Sequence, residues 1–456
     1  MTDTLTPPRI STERLYADFV NPHWVRLIKS LGLDRRFVKA QGAELVTDDG
    51  EVYLDLLGGY GVYNVGHNHP DVAAALVDEI TSLRPSMLQS HIPALAGQLA
   101  QRLVRLAGGR IGKACFMNSG SEGVETAIKF ARTFTRRDRV LAAEGGFHGL
   151  TLGALSLMSN EWWRKGFGGL VPGIGMVPFG DLQALERELK TQQYAAFVVE
   201  PIQGESGVQL PPEGYLENAS RLCDLHGTLL VLDEVQTGLY RTGRFLAAHH
   251  FGVEPDLVVL AKALSGGFAP VSAVLMRDDV CKSVYSSAER SFVHASTFGE
   301  NALSMRAGLA TLDVLEKDGL GERSLELGER LRARLRAAVA DSEMVKEVRG
   351  LGMFNTIEFG TPRSITMKLL MAGFARLHPG LFGQMCVRSL FLDSRILTQM
   401  AGHNYLALKV LLPLVVTEPQ IDRATAGVKA LLDTMNSEKI AFWGQGLKIG
   451  TKLLAG

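Results

Sequence analysis

Apolar positions in this chain follow two different spacings, and the shift between them divides it into parts. From about residue 71 to residue 319, stretches with apolar residues three and four apart alternate with short, continuous apolar runs, the text of βαβ units. Three runs stand out: Ala195–Val199, Thr228–Leu232 and Leu257–Ala261. Each is apolar on both faces, as a strand in a parallel sheet covered by helices must be. Each ends on a polar residue: Glu200, Asp233 and Lys262. In such sheets ligands bind outside the carboxyl ends of the strands. The pattern therefore predicts that these three side chains reach one edge.

The flanking text reads differently. Trp24–Leu31 has helical spacing, and Glu44–Leu54 reads as a hairpin turning at Asp49-Gly50. The stretch Leu56–Pro70 is a glycine- and tyrosine-rich loop holding Tyr60, His67 and His69. With no acidic or cysteine partner nearby in sequence, the His-x-His pair suits a loop-positioning role better than a metal. Leu320–Val348 is patterned as one long helix, and the residues after it as a mixed α+β unit. The expected division is residues 1–60 as the N-terminal part of a small domain, 61–319 as a large domain and 320–456 as its C-terminal part.

Composition narrows the function class. The chain has 456 residues, 46% hydrophobic and 21% charged, as a soluble globular enzyme would. Lys+Arg and Asp+Glu are 48 each, which argues against nucleic acid as a partner. Cys115, Cys223, Cys281 and Cys386 are scattered and suit a reducing compartment. Met1–Pro8 lacks the basic and apolar regions of a signal peptide, and no apolar run spans a membrane, so a cytoplasmic location is expected.

Lysine is rarely buried without a partner or a task, and one task is a Schiff base with a carbonyl. A surface lysine at a strand end is the alternative for Lys262. Upstream, Ser119-Gly120-Ser121 precedes a strongly helical stretch, where free N–H groups and the helix dipole favour an anion. A plain N-cap explains those serines equally well. A lysine, an aspartate and a phosphate seat together fit pyridoxal 5′-phosphate (PLP), which needs a covalent amine, a carboxylate at its ring nitrogen and a phosphate anchor. Phe147 in its glycine-framed loop and Val235 are candidates for the two faces of a flat ring.

Six stretches, in this order, resemble the class III (ornithine/GABA-type) aminotransferases of PLP fold type I over nearly the whole chain. They are Asn118–Glu122, Gly146–Gly149, Glu200–Glu205, Leu232–Gly238, Ala261–Gly267 and His294–Gly299. The resemblance implies an α/β large domain with a mainly parallel sheet flanked by helices, and a smaller α+β domain built from both chain ends. It implies that Lys262 carries the cofactor covalently and shuttles the proton, that Asp233 pairs with the ring nitrogen and that Gln236 contacts the ring hydroxyl. Gly120 and Ser121 would donate to the phosphate, and Phe147 would stack on the ring with Val235 opposite. His148 and Glu200 would complete the cofactor site, and Tyr60 would lie on the substrate side. Thr297 would reach the phosphate of a neighbouring subunit, which makes a homodimer. Transamination would proceed by two ping-pong half-reactions, from an amine donor to a keto-acid or aldehyde acceptor. A relative acting as aminomutase, racemase or decarboxylase would share this cradle. A PLP-binding protein without turnover would have less reason to keep Lys262, Asp233 and Gln236.

Two departures bear on the substrate. In many members a glutamate, here Glu205, pairs with an arginine that otherwise binds a substrate α-carboxylate; here Lys409 stands at that place. Lysine lacks the planar fork, so either the substrate is not held by the usual carboxylate clamp or Lys409 binds it less specifically. The Met-rich text between Phe359 and Leu408 is expected either to line a pocket for a long or apolar tail or to add core packing or dimer contact. The end, Ile440–Leu454, is expected to pack back on the dimer rather than lie on a membrane, with its glycines weakening any helix.

Overall fold

The structure, a computed structural model, describes residues 11–88, 90–437 and 439–454; the leader reading of Met1–Pro8 lies outside them. Its centre is a seven-stranded sheet. In spatial order the strands are Lys113–Met117, Ser272–Met276, Leu257–Leu260, Leu229–Asp233, Tyr194–Val199, Arg139–Ala143 and Ile174–Val177. Ser272–Met276 runs antiparallel to both neighbours, and the five strands beyond it are parallel.

The doubly apolar runs have the cause inferred for them. Val198, Val231, Val259 and Val274 pack on one face with Val124, Ala127, Ile128 and Ala131 of the helix Gly120–Thr135. Phe197, Leu230, Val258 and Leu260 belong to the cluster on the other face, with Leu216, Ala219 and Cys223 of the helix Tyr215–His226. Side chains alternate along a strand, so a sheet covered twice must be apolar at every position. Register does the rest. Val199 lies opposite Leu232 and Asp233 opposite Val259, so the strands end within a few residues of one another.

Two smaller sheets flank this core. The hairpin forms as expected, and its second strand, Val52–Asp55, takes the parallel strand Ile396–Leu397 from the far end of the chain. The third sheet joins Val345–Leu351, Phe354–Phe359 and Ala407–Val410, all antiparallel, with Lys409 opposite Thr356.

Three details depart from the sequence pattern. The long helix stops at Val339, and Val345–Val348 belongs to a strand. Pairing with Phe354–Phe359 and burial of Val348 override the leucine- and arginine-rich text before it. The segment after Phe359 forms the helices Ile365–Leu377 and Leu381–Asp393, whose Met367, Phe374 and Met385 are buried in the core cluster with Phe442 and Trp443. These helices are packing, while Met400 and Gly402 of the same stretch reach the main cavity. The tail is a continuous helix, Lys439–Leu454, despite its glycines. A Cβ at Gly446 would lie 2.2 Å from Phe374 Cζ, so glycine there lets the two helices touch. Trp443 stacks on Phe382 and meets Phe374 at 4.9 Å between ring centres. Among the described residues no helix is long and apolar enough to cross a membrane.

Candidate active site

The carboxyl ends of the central strands open into a cavity of about 670 Å³. Gly120, Ser121, Phe147, His148, Glu200, Val235 and Gln236 line it, together with Asp233, Lys262, Tyr60 and Glu205. Thr297 does not. It lies exposed on a second concavity of about 980 Å³, beside Phe292 and His294.

Lys262 follows its strand after one intervening residue and has a φ of +42°, a left-handed backbone unusual for a long side chain. Tyr60, also on the cavity wall, has a φ of +62°. Strain of this kind persists only where surrounding structure imposes it, and it gathers at functional sites.

Asp233 is almost fully buried. One carboxylate oxygen accepts the Val235 N–H at 3.1 Å, and the other lies 2.8 Å from His148 Nδ1. Burial pulls the His148 imidazole down, but its hydrogen bond to Asp233 and the charges of Asp233 and Glu200 outweigh burial and raise it. Glu200, also buried, accepts the N–H of Phe147 at 2.8 Å and of Gly204 at 3.1 Å. Desolvation, reinforced by Asp233, pushes it up to about 7. A carboxylate kept next to the strand end by burial thus shares its surroundings with one that is ion-paired to a histidine.

At the helix start Ser119 Oγ accepts the Glu122 N–H at 3.2 Å, so the N-cap reading is correct. The anion reading stands beside it. Among the described residues no acceptor is found for the N–H groups of Gly120 and Ser121, which open the helix at the cavity wall. A Cβ at Gly120 would lie 3.2 Å from both Val235 methyls, so backbone and valine pinch one side of the space.

The far side is assembled from distant segments. Glu205 pairs with Lys409 Nζ through one oxygen, and its other oxygen accepts the Gly402 N–H at 2.7 Å. Lys409 Nζ also sits 4.8 Å from the centre of the Tyr60 ring. Burial opposes ionisation of Glu205, yet the Lys409 charge holds it below the usual carboxylate range. Burial pulls Lys409 down, with Glu205 opposing. Lys409 is 1% exposed, and the cavity is lined by Glu205 and Tyr60 rather than by Lys409 itself.

Sequence reasoning missed Trp163, Phe268, Met400 and Gly402, which complete the wall. Trp163 meets the Phe147 ring edge-on at 5.5 Å. The Trp162-Trp163 pair beside a glycine-rich stretch was the available signal; Met400 and Gly402 gave none. His67 and His69 hold the loop in place: His67 Nε2 lies 2.7 Å from Asp55 Oδ2, and His69 caps the helix Pro70–Thr81.

Residues 31–432 match the family described as Aminotransferase class-III. The chain belongs to the class III aminotransferases. It is 37% identical to an ornithine aminotransferase of Bacillus cereus, over 86% of this chain and 93% of that one. It is 36% identical to a putrescine aminotransferase of Pectobacterium atrosepticum, over 95% and 92%. It is 33% identical to Aminotransferase PigE of Serratia over 94% of its own length, but spans only 54% of that longer protein. The solved ornithine aminotransferase of Toxoplasma gondii, with PLP at partial occupancy in its active site, superposes with a TM-score of 0.78 at 28% identity, covering 98% of this chain and all of that one.

This aminotransferase has PLP fold type I, uses pyridoxal phosphate and transfers amino groups. The residues present fit the cofactor. A lysine and a buried aspartate share the cavity with unpaired helix-start amides, and the chemistry of that donor set is the one PLP requires.

Proposed function

We propose that this aminotransferase takes its amino group from a primary amine or ω-amino compound and delivers it to a keto acid or aldehyde in two ping-pong half-reactions. Lys262, Asp233 and the Ser119–Ser121 turn opening into one cavity carry this reading. PLP, when bound, supplies an aldehyde that takes up amino groups and a protonated ring that accepts electrons.

The protein's own residues do the rest. Lys262 Nζ would hold the cofactor covalently and, when free, would take the proton from the donor's amine-bearing carbon. Asp233 holds a proton on the ring nitrogen, because an opposite charge favours the protonated form. His148 fixes the Asp233 carboxylate. The Gly120 and Ser121 amides hold the phosphate, Phe147 and Val235 bound the ring, and Gln236 and Glu200 flank it. Gln236 is itself anchored through Nε2 to the Tyr60 carbonyl at 2.9 Å. On the substrate side Tyr60 and Glu205 form the wall, with Lys409 sealed behind Glu205. The Lys409 ammonium is paired with Glu205; ornithine and putrescine, the substrates in the relatives' names, both end in a primary amine, which supports an ω-amine donor.

The working form is a cytoplasmic homodimer in which Thr297 serves the neighbouring cofactor's phosphate. Leu83, Ile92 and Phe292, 89%, 87% and 77% exposed in the single chain, support such a partner. Residues 61–319 form the large domain, with residues 1–60 and 320–456 making the small one; the pairing of Leu54 with Ile396 supports that division.

Single-turnover mixing of the holoenzyme with amines that carry or lack an α-carboxylate tests the reading. The expected result is one equivalent of ω-amine converted per bound cofactor without acceptor, and further consumption only when a keto acid or aldehyde is added. Continued amine conversion beyond one equivalent with no acceptor would point to an aminomutase, racemase or decarboxylase.

A further inference from the structure

Glu200 can be read as one more cofactor contact, but its hydrogen bonds indicate something else. Its two carboxylate oxygens serve two different loops. One accepts the N–H of Phe147, the residue that bounds the ring, and the other accepts the N–H of Gly204, immediately before Glu205. The Gly204 interaction is buried and the Phe147 one partly so, and Glu200 itself is 4% exposed.

The two loops are also joined at their rims. Gln203 Nε2 donates to the Glu144 carbonyl at 2.8 Å, and Ser206 Oγ donates to the Gly145 carbonyl at 2.8 Å. From Gly204 the contacts continue across the cavity floor. A Cβ at Gly204 would fall 1.8 Å from Gln236 Oε1, so the Gln236 amide lies directly on that backbone. Gln236 in turn holds the Tyr60 carbonyl. An unbroken series runs from Phe147 through Glu200, Gly204 and Gln236 to Tyr60, with Glu205 branching from it.

We propose that Glu200 is a positioning residue that ties the cofactor-stacking loop, residues 144–149, to the substrate-wall loop, residues 203–207, so that the two are held as one body. The inference rests on the aminotransferase reading for what each loop contacts, but not for the tie itself. A buried carboxylate suits this place because it is acceptor-only and can receive two N–H groups from opposite directions. Glutamine of the same shape cannot. Its amide nitrogen would confront one of the two N–H groups donor to donor, and one loop would lose its anchor.

Glu234 supplies the control. It is equally buried and also accepts backbone N–H groups, those of Ala247 at 3.0 Å and Ala248 at 2.8 Å, but it touches neither loop. The experiment measures amide hydrogen exchange by mass spectrometry, on holoenzyme and on cofactor-free protein, for wild type, Glu200→Gln, Glu200→Asp and Glu234→Gln. In Glu200→Gln, exchange is expected to quicken at least tenfold in both 144–149 and 203–207, with the cofactor's Kd and the amine KM rising together by a similar factor. Glu200→Asp keeps the charge but is a methylene shorter; it guards against failed folding of the glutamine variant and is expected to change the same two segments by a smaller factor. Glu234→Gln is expected to alter exchange around 237–248 while leaving both loops within twofold of wild type. Faster exchange in only one loop, or a cofactor Kd that rises while the amine KM stays within twofold, would overturn the proposal. If exchange responds in both loops but no amine serves as donor, the tie stands and the functional reading falls.

Discussion

The two walls of the cavity are built in opposite ways. On the sheet side, Asn118–Ser121 and Glu200 follow directly on strands, Asp233 ends one and Lys262 follows another after one intervening residue, and strand register brings them together. On the other side Tyr60, Glu205, Gly402 and Lys409 come from stretches far apart in sequence or joined by a loop, and they meet through an ion pair, a ring contact and backbone hydrogen bonds. The sheet side holds the residues proposed to hold the cofactor, whereas the assembled side is the proposed substrate wall. A wall of loops and a small sheet can change its residues without disturbing the strand ends.

The largest expected effect lies on the sheet side. Lys262→Ala should lower amine turnover by ~10²–10⁴-fold, the usual weight of a positioned proton carrier, and by more through loss of the covalent link. Borohydride reduction followed by mass spectrometry should find the cofactor attached to wild type and absent from the variant. Full turnover in the variant would end the assignment of Lys262.

The assembled wall should respond mainly in stability. Lys409→Met leaves the Glu205 carboxylate buried without its cation, at a cost of about 3–5 kcal/mol. The double variant Glu205→Gln with Lys409→Met should recover most of that loss in chemical denaturation. If the single variant is as stable as wild type, the pair is not the buried lock described above.

A pH test separates the two walls further. Glu234, behind the sheet edge, is pushed up to about 7 by burial, against the partial relief of its hydrogen bonds to Thr237, Ala248 and Ala247. Its folded-state pKa lies above the unfolded value, so the folded state binds the extra proton between about pH 4.5 and 7. Its contribution to stability is full below that window and is lost as pH rises through 7, about 3 kcal/mol in all. Glu205, held low by Lys409, has the opposite sign: its contribution is present above the ordinary carboxylate range and lost as pH falls. Denaturation midpoints at pH 5 and pH 8 should therefore differ less in Glu234→Gln than in wild type. An unchanged difference would reject the account.

The smallest effect belongs far from either wall. Gly446→Ala puts a methyl 2.2 Å from Phe374 Cζ and should cost about 1–3 kcal/mol of stability through overpacking, with KM and kcat unchanged. A change in KM would mean that the C-terminal helix reaches the cavity after all.

How much was legible follows the same division. The alternating apolar text was enough for the parallel sheet, and the polar residue ending each run was enough for Glu200, Asp233 and Lys262, because strand ends are local features of sequence. The helical text of Leu320–Val348 misled over its last residues, since the strand Val345–Leu351 exists only by pairing with Phe354–Phe359. The Met-rich segment could not be resolved between pocket and packing, because its partners Phe442 and Trp443 lie about 70 residues further on. Glycines in the tail argue against a helix by propensity, yet in the folded chain they are what lets that helix approach Phe374 and Leu377. The sequence by itself determined the sheet, the cradle chemistry and the lysine at 409. Only the tertiary structure decided that this lysine is sealed behind Glu205, and that one carboxylate, Glu200, holds both loops, because contacts between distant segments leave no periodic trace along the chain.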